Sequence, residues 1–487
     1  MSRRIRRANM RPAALWAAAL LLAAAIPPTA SAALSVRVGP TVQVSREGGA
    51  AQRMHEEVIL AAHPKDPKRL IGCSIVDEDG YKQRGMHAVA YGSEDGGLHW
   101  KHVVESTAFD GDPMCGYGPD GRAYFLSIGT DDESWKKVDW WMEIFRSDDG
   151  GRTWGPGELM PGGDRPWLAF DEGRGKTAGW GYVVYSIRIA HLDHQGPASV
   201  PRDRTLPTLE VRRTTDGGTT WQKSAMGVMT EKNVFPSATG AVVLPDGSLA
   251  VLWLKRTITD DANSPEAARH ELYMTVSEPG ANLLGPSVKI ADLVSDHAAS
   301  ATFYSLAMDA TAGPRRGHLY ATWTDTGTPR AKIFVASSGD SGKTWSIARA
   351  NGLGAPAGDA PLDDFQPTVA VNRDGIVGLS FRRRTRDTDD GEVYFTASED
   401  GGATWMPPVL VSSPRGAVEG GLVRPTFRAD EKPDQPGSRR RTIFKGGDTG
   451  GLAADADGIF HALWADQRSG IGQVFTAAVT VSRAGAR

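Results

Sequence analysis

The chain has 487 residues, of which 40% are hydrophobic and 23% charged, with a formal net charge of −3. This length is enough to bury a large core, so the fold needs neither a disulfide framework nor a structural metal. The near-neutral charge argues against nucleic-acid binding, which is typical of strongly basic domains.

The first 32 residues have the pattern of a signal peptide. A basic stretch, MSRRIRRANMRP, precedes the apolar run AALWAAALLLAAAI and a small-residue segment ending in ASA. Because the apolar run is too short for a membrane span, we expect cleavage near Ala32 and a secreted or periplasmic protein, the alternative being an uncleaved anchor. Cleavage removes five arginines and no acid, which leaves residues 33–487 with 50 basic and 58 acidic residues and a net charge of −8.

A polar turn ending in tryptophan recurs along the rest of the chain. Five copies align: SEDGGLHW at 93–100, SDDGGRTW at 147–154, TTDGGTTW at 214–221, SGDSGKTW at 338–345 and SEDGGATW at 398–405. Their aspartates are Asp95, Asp149, Asp216, Asp340 and Asp400, separated by 54, 67, 124 and 60 residues. SEPGANL at 277–283 lies in the middle of the long step and is interpreted as a degenerate sixth copy.

The residue types of this turn are those of a hairpin. Asp and Ser side chains accept hydrogen bonds from turn amides, and Gly supplies the positive φ that a Cβ would oppose. Because hairpin formation uses all of this chemistry, we interpret the five aspartates as structural rather than catalytic.

Paired strands joined by a PDG-like turn precede the polar turns, as in SATGAVVLPDGSLAVLWLK and GLAADADGIFHALWADQR. Seven such units begin near Glu57, Asp110, Asp164, Val234, Ser305, Asp364 and Asp448. Four strands in about 60 residues, with almost no helix, predict an all-β fold: a single β-propeller of four-stranded antiparallel blades. Seven blades are expected, with the polar turn between the third and fourth strands; six is the alternative if one blade has been counted twice.

The last unit lacks a fourth strand. VGPTVQVS at 38–45 resembles the fourth strand MPPVLVSS at 406–413, so we expect the N-terminus to complete the last blade and close the ring. Cys73 and Cys115 fall in the first two blades, and in an oxidising compartment we expect them to form a disulfide.

The polar turns resemble the Asp-box (BNR) repeats of the sialidase superfamily, over about residues 40–483. The resemblance implies a sialidase-like propeller and leaves activity open, because Asp boxes also occur in non-catalytic propellers. Sialidases of this family use three arginines on the substrate carboxylate, an Asp acid/base and a Tyr nucleophile assisted by Glu. The F/Y-R-I-P motif of their first blade is absent here; the first blade has RMHEEVIL at 53–60.

Candidate site residues lie at the channel mouth, the face opposite the polar turns, where first strands begin and second strands end. The longest insertions fall on that face, at 77–84, 130–139, 189–207, 257–270 and 414–445. The candidate catalytic residues are Asp112, Asp164 and Asp466; the candidate substrate-binding residues are Glu57, Arg165, Arg188, Arg384 and Arg468. Converging guanidinium groups suit a carboxylated sugar. The alternative is that pairs such as Asp466 and Arg468 are ion pairs that tie blades together.

No motif indicates a cofactor or a metal: there is no phosphate loop, no G-x-S-x-G and no H-E-x-x-H, and HLDH at 191–194 lacks a third ligand. Tyr185 and Tyr304 lie near the mouth and fit packing within a blade equally well. We therefore expect a secreted monomer that acts on glycans at its channel mouth, as an exo-glycosidase for carboxylated sugars. The alternative is a non-catalytic propeller that binds a glycan or a protein.

Overall fold

The fold was analysed in a computed structural model of the chain. The described residues are 34–77, 86–107, 110–130, 140–187, 208–229, 234–258, 268–282, 284–293, 304–325, 331–349, 362–385, 391–413, 418–421 and 446–483. The predicted signal peptide lies outside these ranges and stays a prediction, together with the boundary at residue 33. Within the described ranges no helix is long and apolar enough to cross a membrane.

The described residues form seven antiparallel sheets of successive strands, which we number as blades 1–7. Blade 1 comprises β3 (Met54–Ala62), β4 (Leu70–Asp77), β5 (Met86–Ser93) and β6 (Lys101–Glu105). Blade 2 comprises β7 (Asp110–Tyr117), β8 (Ala123–Thr130), β9 (Trp140–Ser147) and β10 (Glu158–Pro161). Blade 3 comprises β11 (Asp164–Phe170), β12 (Gly181–Ile187), β13 (Thr208–Thr214) and β14 (Gln222–Met229). Blade 4 comprises β15 (Val234–Val243), β16 (Ser248–Ile258), β17 (Ala268–Pro279) and β18 (Leu284–Leu293).

Blade 5 comprises β19 (Tyr304–Met308), β20 (Leu319–Asp325), β21 (Lys332–Ser338) and β22 (Ser346–Arg349). Blade 6 comprises β23 (Leu362–Val371), β24 (Val377–Thr385), β25 (Glu392–Ser398) and β26 (Val409–Leu410). Blade 7 comprises β27 (Gly451–Ala454), β28 (Phe460–Asp466) and β29 (Gln473–Arg483), with the N-terminal strands β1 (Leu34–Val38) and β2 (Val42–Gln43) both paired to β29. One short 3-10 helix covers Gly48–Gln52.

The first strand of each blade packs against the first strand of the next, and β27 of blade 7 packs against β3 of blade 1. These seven strands therefore surround a central channel, and the ring is closed. The seven-blade β-propeller is confirmed, and the six-blade alternative is excluded. Apolar side chains fill the spaces between neighbouring sheets, as in the cluster that joins blades 4 and 5 around Trp323 and Leu272.

Ring closure by the N-terminus is confirmed, with one correction to its position. The main closing strand is β1, in the register Leu34↔Arg483 to Val38↔Val479. Of the predicted stretch 38–45, Val38 ends this strand, and Val42 and Gln43 form a second, shorter pairing with β29. Pro40 has no N–H to donate to a ladder, so the pairing breaks between the two short strands.

Cys73 and Cys115 lie together in the apolar cluster between blades 1 and 2, as free thiols rather than as the predicted disulfide. The Cys115 thiol donates weakly to the carbonyl oxygen of Ile59 at 3.6 Å and is in hydrogen-bond contact with Cys73. Burial raises the pKa of Cys73 well above its usual value, which keeps the proton on sulfur. Because the thiols are in contact, oxidation to a disulfide in an oxidising compartment stays a prediction.

The polar turns lie between the third and fourth strands, as predicted. In blade 2 the Asp149 carboxylate accepts from the Ser147 hydroxyl at 2.8 Å, the Thr153 amide at 2.9 Å and the Thr153 hydroxyl at 2.7 Å. The Trp154 indole donates to the Gly151 carbonyl at 3.2 Å. Equivalent serine or threonine contacts are made by Asp95, Asp216, Asp340 and Asp400.

Candidate functional site

Four first strands contain the same backbone irregularity in their first half. The non-glycine residues Glu57, Asp112, Arg165 and Gln366 have φ values of 54°, 44°, 53° and 53°, in the left-handed region. The pairing with the second strand shifts register at each of them. A bulge with positive φ redirects a side chain out of the regular ladder, and for a non-glycine residue this conformation is strained. The four polar side chains therefore lie at equivalent positions of four blades, around the channel mouth.

Three of these residues belong to one group of charged side chains, which we call the mouth cluster. It consists of Glu57 from blade 1, Asp112 from blade 2, Asp164 and Arg165 from blade 3, and Asp448 immediately before blade 7. Asp112 is in side-chain hydrogen-bond contact with both Glu57 and Asp164. Asp112 also accepts the Arg165 backbone N–H at 3.0 Å, and the Arg165 guanidinium donates to the Asp448 carboxylate. The cluster therefore joins four blades.

The environment drives the pKa values of Glu57 and Asp112 in opposite directions. Burial, reinforced by the charges of Asp448 and Asp112, raises the pKa of Glu57 well above its usual value of 4.5. Burial alone would also raise the pKa of Asp112, but the charge of Arg165 and hydrogen bonds from its neighbours lower it below 3.8. Glu57 is thus the proton-carrying member of the pair and Asp112 the ionised member.

Arg165 is the cation around which the carboxyl groups are arranged. Burial opposes its charge, but the carboxylates of Asp448, Asp112 and Asp164 raise its pKa above the usual value of 12.5. The side chains of Arg165 and Asp448 retain 18% and 17% exposure, so solvent reaches the ion pair.

A cavity of about 170 Å³ lies in the channel beside the cluster, and Asp448, Tyr304 and Gln366 are among its lining residues. Gln366 donates to the carbonyl oxygens of Gly447 at 3.3 Å and Thr449 at 2.7 Å, on either side of Asp448. Gly447 has a φ of 80°, and a Cβ there would meet Glu57 at 2.3 Å, so only glycine fits this approach.

Four predicted site residues are therefore brought together: Glu57, Asp112, Asp164 and Arg165. Two others pair with each other instead, because Arg468 Nη2 lies 2.6 Å from Asp466 Oδ2 and the guanidinium stacks on the Trp464 and Phe475 rings. This contact is the one that the alternative interpretation expects, an ion pair that fixes the blade. The catalytic role of Asp466 and the substrate-binding role of Arg468 stay predictions.

Arg384 lies over the Phe365 ring of its own blade at 4.8 Å, and its substrate-binding role stays a prediction. Arg188 lies outside the described residues, as do most residues of the five insertions.

The described residues do not reproduce the sialidase arrangement. Of the described arginines predicted to bind substrate, Arg165 alone belongs to the mouth cluster, and its guanidinium is held by Asp448. Tyr185 does donate a hydrogen bond to Glu210 at 2.9 Å, but it is completely buried in blade 3 and burial raises its pKa. With no exposed surface, Tyr185 is a packed side chain of blade 3. Among the described residues no group of three or more His, Cys, Asp and Glu side chains could hold a metal ion.

Sequence reasoning missed Gln366 and did not assign a role to Tyr304. One signal was present for Gln366: the positive-φ residues Asp112, Arg165 and Gln366 are each followed by proline. A polar residue before proline at the start of the first strand therefore marks the bulge in three blades.

No protein-family model matches the chain, and no curated protein matches its sequence. Solved structures resemble it at low identity. A protein of unknown function from Dyadobacter fermentans is 13% identical, with a TM-score of 0.45 over 92% of this chain and 99% of that one. The NanB sialidase from Streptococcus pneumoniae is 11% identical, with a TM-score of 0.47 over 72% and 68%. An α-L-arabinofuranosidase from Fusarium graminearum is 14% identical, with a TM-score of 0.43 over 74% and 98%.

At these identities the likeness concerns the fold alone. The seven closed blades, with Asp-box turns between third and fourth strands, give the chain the fold of a sialidase-like β-propeller.

Proposed function

We propose that the chain is a glycoside hydrolase that acts at its channel mouth, with Glu57 as the proton donor. The observation that carries this proposal is the contact between Glu57 and Asp112, whose pKa values are shifted in opposite directions. A carboxyl group that keeps its proton beside ionised carboxylates supplies the general acid that glycoside cleavage requires.

The reaction needs one proton donor and one proton acceptor. Glu57 transfers its proton to the glycosidic oxygen as the bond from that oxygen to the anomeric carbon breaks. A water molecule adds to the anomeric carbon, and its proton passes to a carboxylate. Asp448 is the carboxyl group of the cluster that lines the cavity, so we assign the acceptor role to it. Solvent exchange then returns the proton to Glu57.

The charge of the cluster favours a sugar without a carboxylate. Four carboxyl groups surround a single guanidinium, so negative charge remains in excess even with Glu57 protonated. An anionic sugar would meet repulsion, since its main cationic partner already pairs with Asp448. We therefore propose a neutral glycoside in place of the carboxylated sugar expected from the sequence, with export directed by residues 1–32.

The test is turnover by the chain from residue 33 to 487 with neutral aryl glycosides, aryl sialosides and aryl uronides. We expect hydrolysis of a neutral glycoside, and a kcat lower by about 10²- to 10⁴-fold in Glu57→Gln, the usual contribution of a general acid. In the wild-type chain kcat/KM should fall as pH rises through the raised pKa of Glu57. Glu278→Gln, which removes an exposed carboxylate on the opposite face, is the control and should leave kcat unchanged.

A second candidate is a propeller that binds a glycan without cleaving it. The contacts of Asp112 and Arg165 also connect four blades, so the cluster has structural value without catalysis. Binding of a glycan by the wild-type chain, with no turnover of any of the three glycoside classes, would favour this candidate and overturn the hydrolase.

A further inference from the structure

A second pocket opens on the opposite face, beside the Asp-box turn of blade 2. In blades 1, 3 and 5 the fourth strand starts at the residue after the turn tryptophan, at Lys101, Gln222 and Ser346. In blade 2 the spacer Gly-Pro-Gly at 155–157 separates Trp154 from the start of β10 at Glu158. Two residues of this spacer have no side chain, and a cavity of about 260 Å³ lies beside it.

The lining of this Asp-box pocket combines aromatic rings with charged groups: Trp154, Tyr124, Arg146, Asp148, Thr153 and Glu158. Arg146 donates to the Thr219 hydroxyl at 2.8 Å and to Asp148 at 3.4 Å, which uses two of its five N–H groups and fixes the guanidinium. The Asp148 and Arg146 side chains are 61% and 34% exposed. Donors, acceptors and aromatic surface therefore meet in one solvent-accessible concavity.

We propose that the Asp-box pocket binds a neutral saccharide unit, as a second carbohydrate site on the face opposite the mouth. An indole ring presents apolar surface to the C–H face of a sugar. Guanidinium and carboxylate groups together satisfy vicinal hydroxyls, each of which both donates and accepts. The cavity lies just below the usual small-molecule range of about 300–1,000 Å³, a size that suits one sugar ring rather than a larger ligand.

Glu158 is the residue through which the site can be tested without disturbing the fold. It is exposed and begins a short outer strand, and it makes no side-chain hydrogen bond or ion pair with a described residue. Gly155 allows a second variant, because a Cβ there would meet only the Arg146 carbonyl oxygen at 3.5 Å, an ordinary contact. Gly155→Leu therefore adds bulk to the pocket lining and leaves the Asp-box hydrogen bonds intact.

The experiment is calorimetric titration of the chain with cellotetraose, xylotetraose and maltotetraose, in a Glu57→Gln background to prevent hydrolysis. We expect at least one tetrasaccharide to bind, with Kd roughly tenfold weaker in Glu158→Ala, the loss of one hydrogen bond to a charged group. Gly155→Leu should weaken Kd by a similar factor. The matched control is Glu278→Ala, which removes an exposed carboxylate from the corresponding turn of blade 4 and should leave Kd unchanged.

Absence of binding by all three tetrasaccharides, or binding that neither pocket variant weakens, would overturn this inference. The result is independent of the proposed hydrolase. Binding that is sensitive to Glu158→Ala, together with no turnover of any glycoside class by the wild-type chain, supports the Asp-box pocket and rejects the hydrolase. Turnover by the wild-type chain without such binding supports the hydrolase and rejects the Asp-box pocket.

Discussion

Three members of the mouth cluster have a strained backbone conformation. A left-handed conformation costs a non-glycine residue about 1–3 kcal/mol, and glycine would remove most of that cost. The chain instead has Glu57, Asp112 and Arg165 at three such positions, and all three are members of the mouth cluster. The strain is therefore offset by contacts that only these side chains make.

The raised pKa of Glu57 predicts how stability depends on pH. As pH rises above 4.5 the unfolded chain loses the Glu57 proton while the folded chain keeps it, so the free energy of unfolding falls until the folded-state pKa is passed. The slope from this residue is at most about 1.4 kcal/mol per pH unit. Glu57→Gln has no proton to lose, so it should be as stable as the wild type below pH 4.5 and progressively more stable above it.

Denaturant unfolding of both proteins across this pH range measures the difference. Glu278→Gln controls for the general loss of a carboxyl group. A difference between wild type and Glu57→Gln that is constant with pH would show that Glu57 ionises normally in the folded chain.

At the scale of elements, the Asp-box turns connect blades as well as ending hairpins. Arg69, from the turn between β3 and β4 of blade 1, donates to the Asp149 carbonyl oxygen in blade 2. Arg315, between β19 and β20 of blade 5, donates in the same way to Glu399 in blade 6. In both cases a guanidinium from one blade binds the turn of the next, so the geometry of these two turns also fixes the neighbouring blade.

We predict that Asp149→Ala lowers the free energy of unfolding by about 2 kcal/mol, since it leaves turn amides and the Thr153 hydroxyl without their acceptor. Hydrogen bonds from Thr153 and Ser147 outweigh burial and lower the pKa of Asp149 to about 2. The contribution of the Asp149 carboxylate to the free energy of unfolding is therefore present above pH 3.8 and lost as pH falls towards 2.

The neighbouring Asp148→Ala is the matched control. Its side chain is 61% exposed, and its ion pairs with Arg122 and Arg146 lie at the surface, so we expect a loss below about 1 kcal/mol. Equal losses for the two variants in denaturant titrations would refute the structural role of the Asp-box aspartate.

The sequence could predict the number of blades, the position of the polar turns and the end of the channel at which the mouth residues lie. These features follow from period-2 patterning and turn chemistry, which are local. The interaction partners of individual side chains could not be predicted from the sequence. Arg165 and Arg468 both lie at strand ends that the sequence assigns to the channel mouth. Arg468 nevertheless pairs with Asp466, two residues away, whereas Arg165 pairs with Asp448 in another blade. That choice depends on bulges and on the packing of neighbouring blades, which strand position alone does not specify.

At the scale of the whole molecule, the two ends of the chain together form one blade. β1 and β2 cover the outer edge of β29, and the apolar side chains of Val36 and Val38 pack on the core between blades 6 and 7. The Thr41 carbonyl oxygen accepts from the Glu419 amide at 2.8 Å, which attaches the same segment to the end of blade 6. The N-terminal strand thus supplies the outer strand of blade 7.

We predict that removing residues 33–45 leaves β29 as an unpaired edge and makes the protein prone to edge-to-edge association. The truncated chain should melt at a lower temperature than the chain that begins at Ala33, and it should elute as oligomers or aggregates in size-exclusion chromatography. A chain lacking only residues 484–487, which follow β29, serves as the control and should behave as the full domain.

Because β1 pairs through backbone hydrogen bonds in a fixed register, a synthetic peptide of residues 33–45 should restore the monomer and raise the melting temperature of the truncated chain. A truncated chain that stays monomeric with an unchanged melting temperature would show that the blade is stable with three strands.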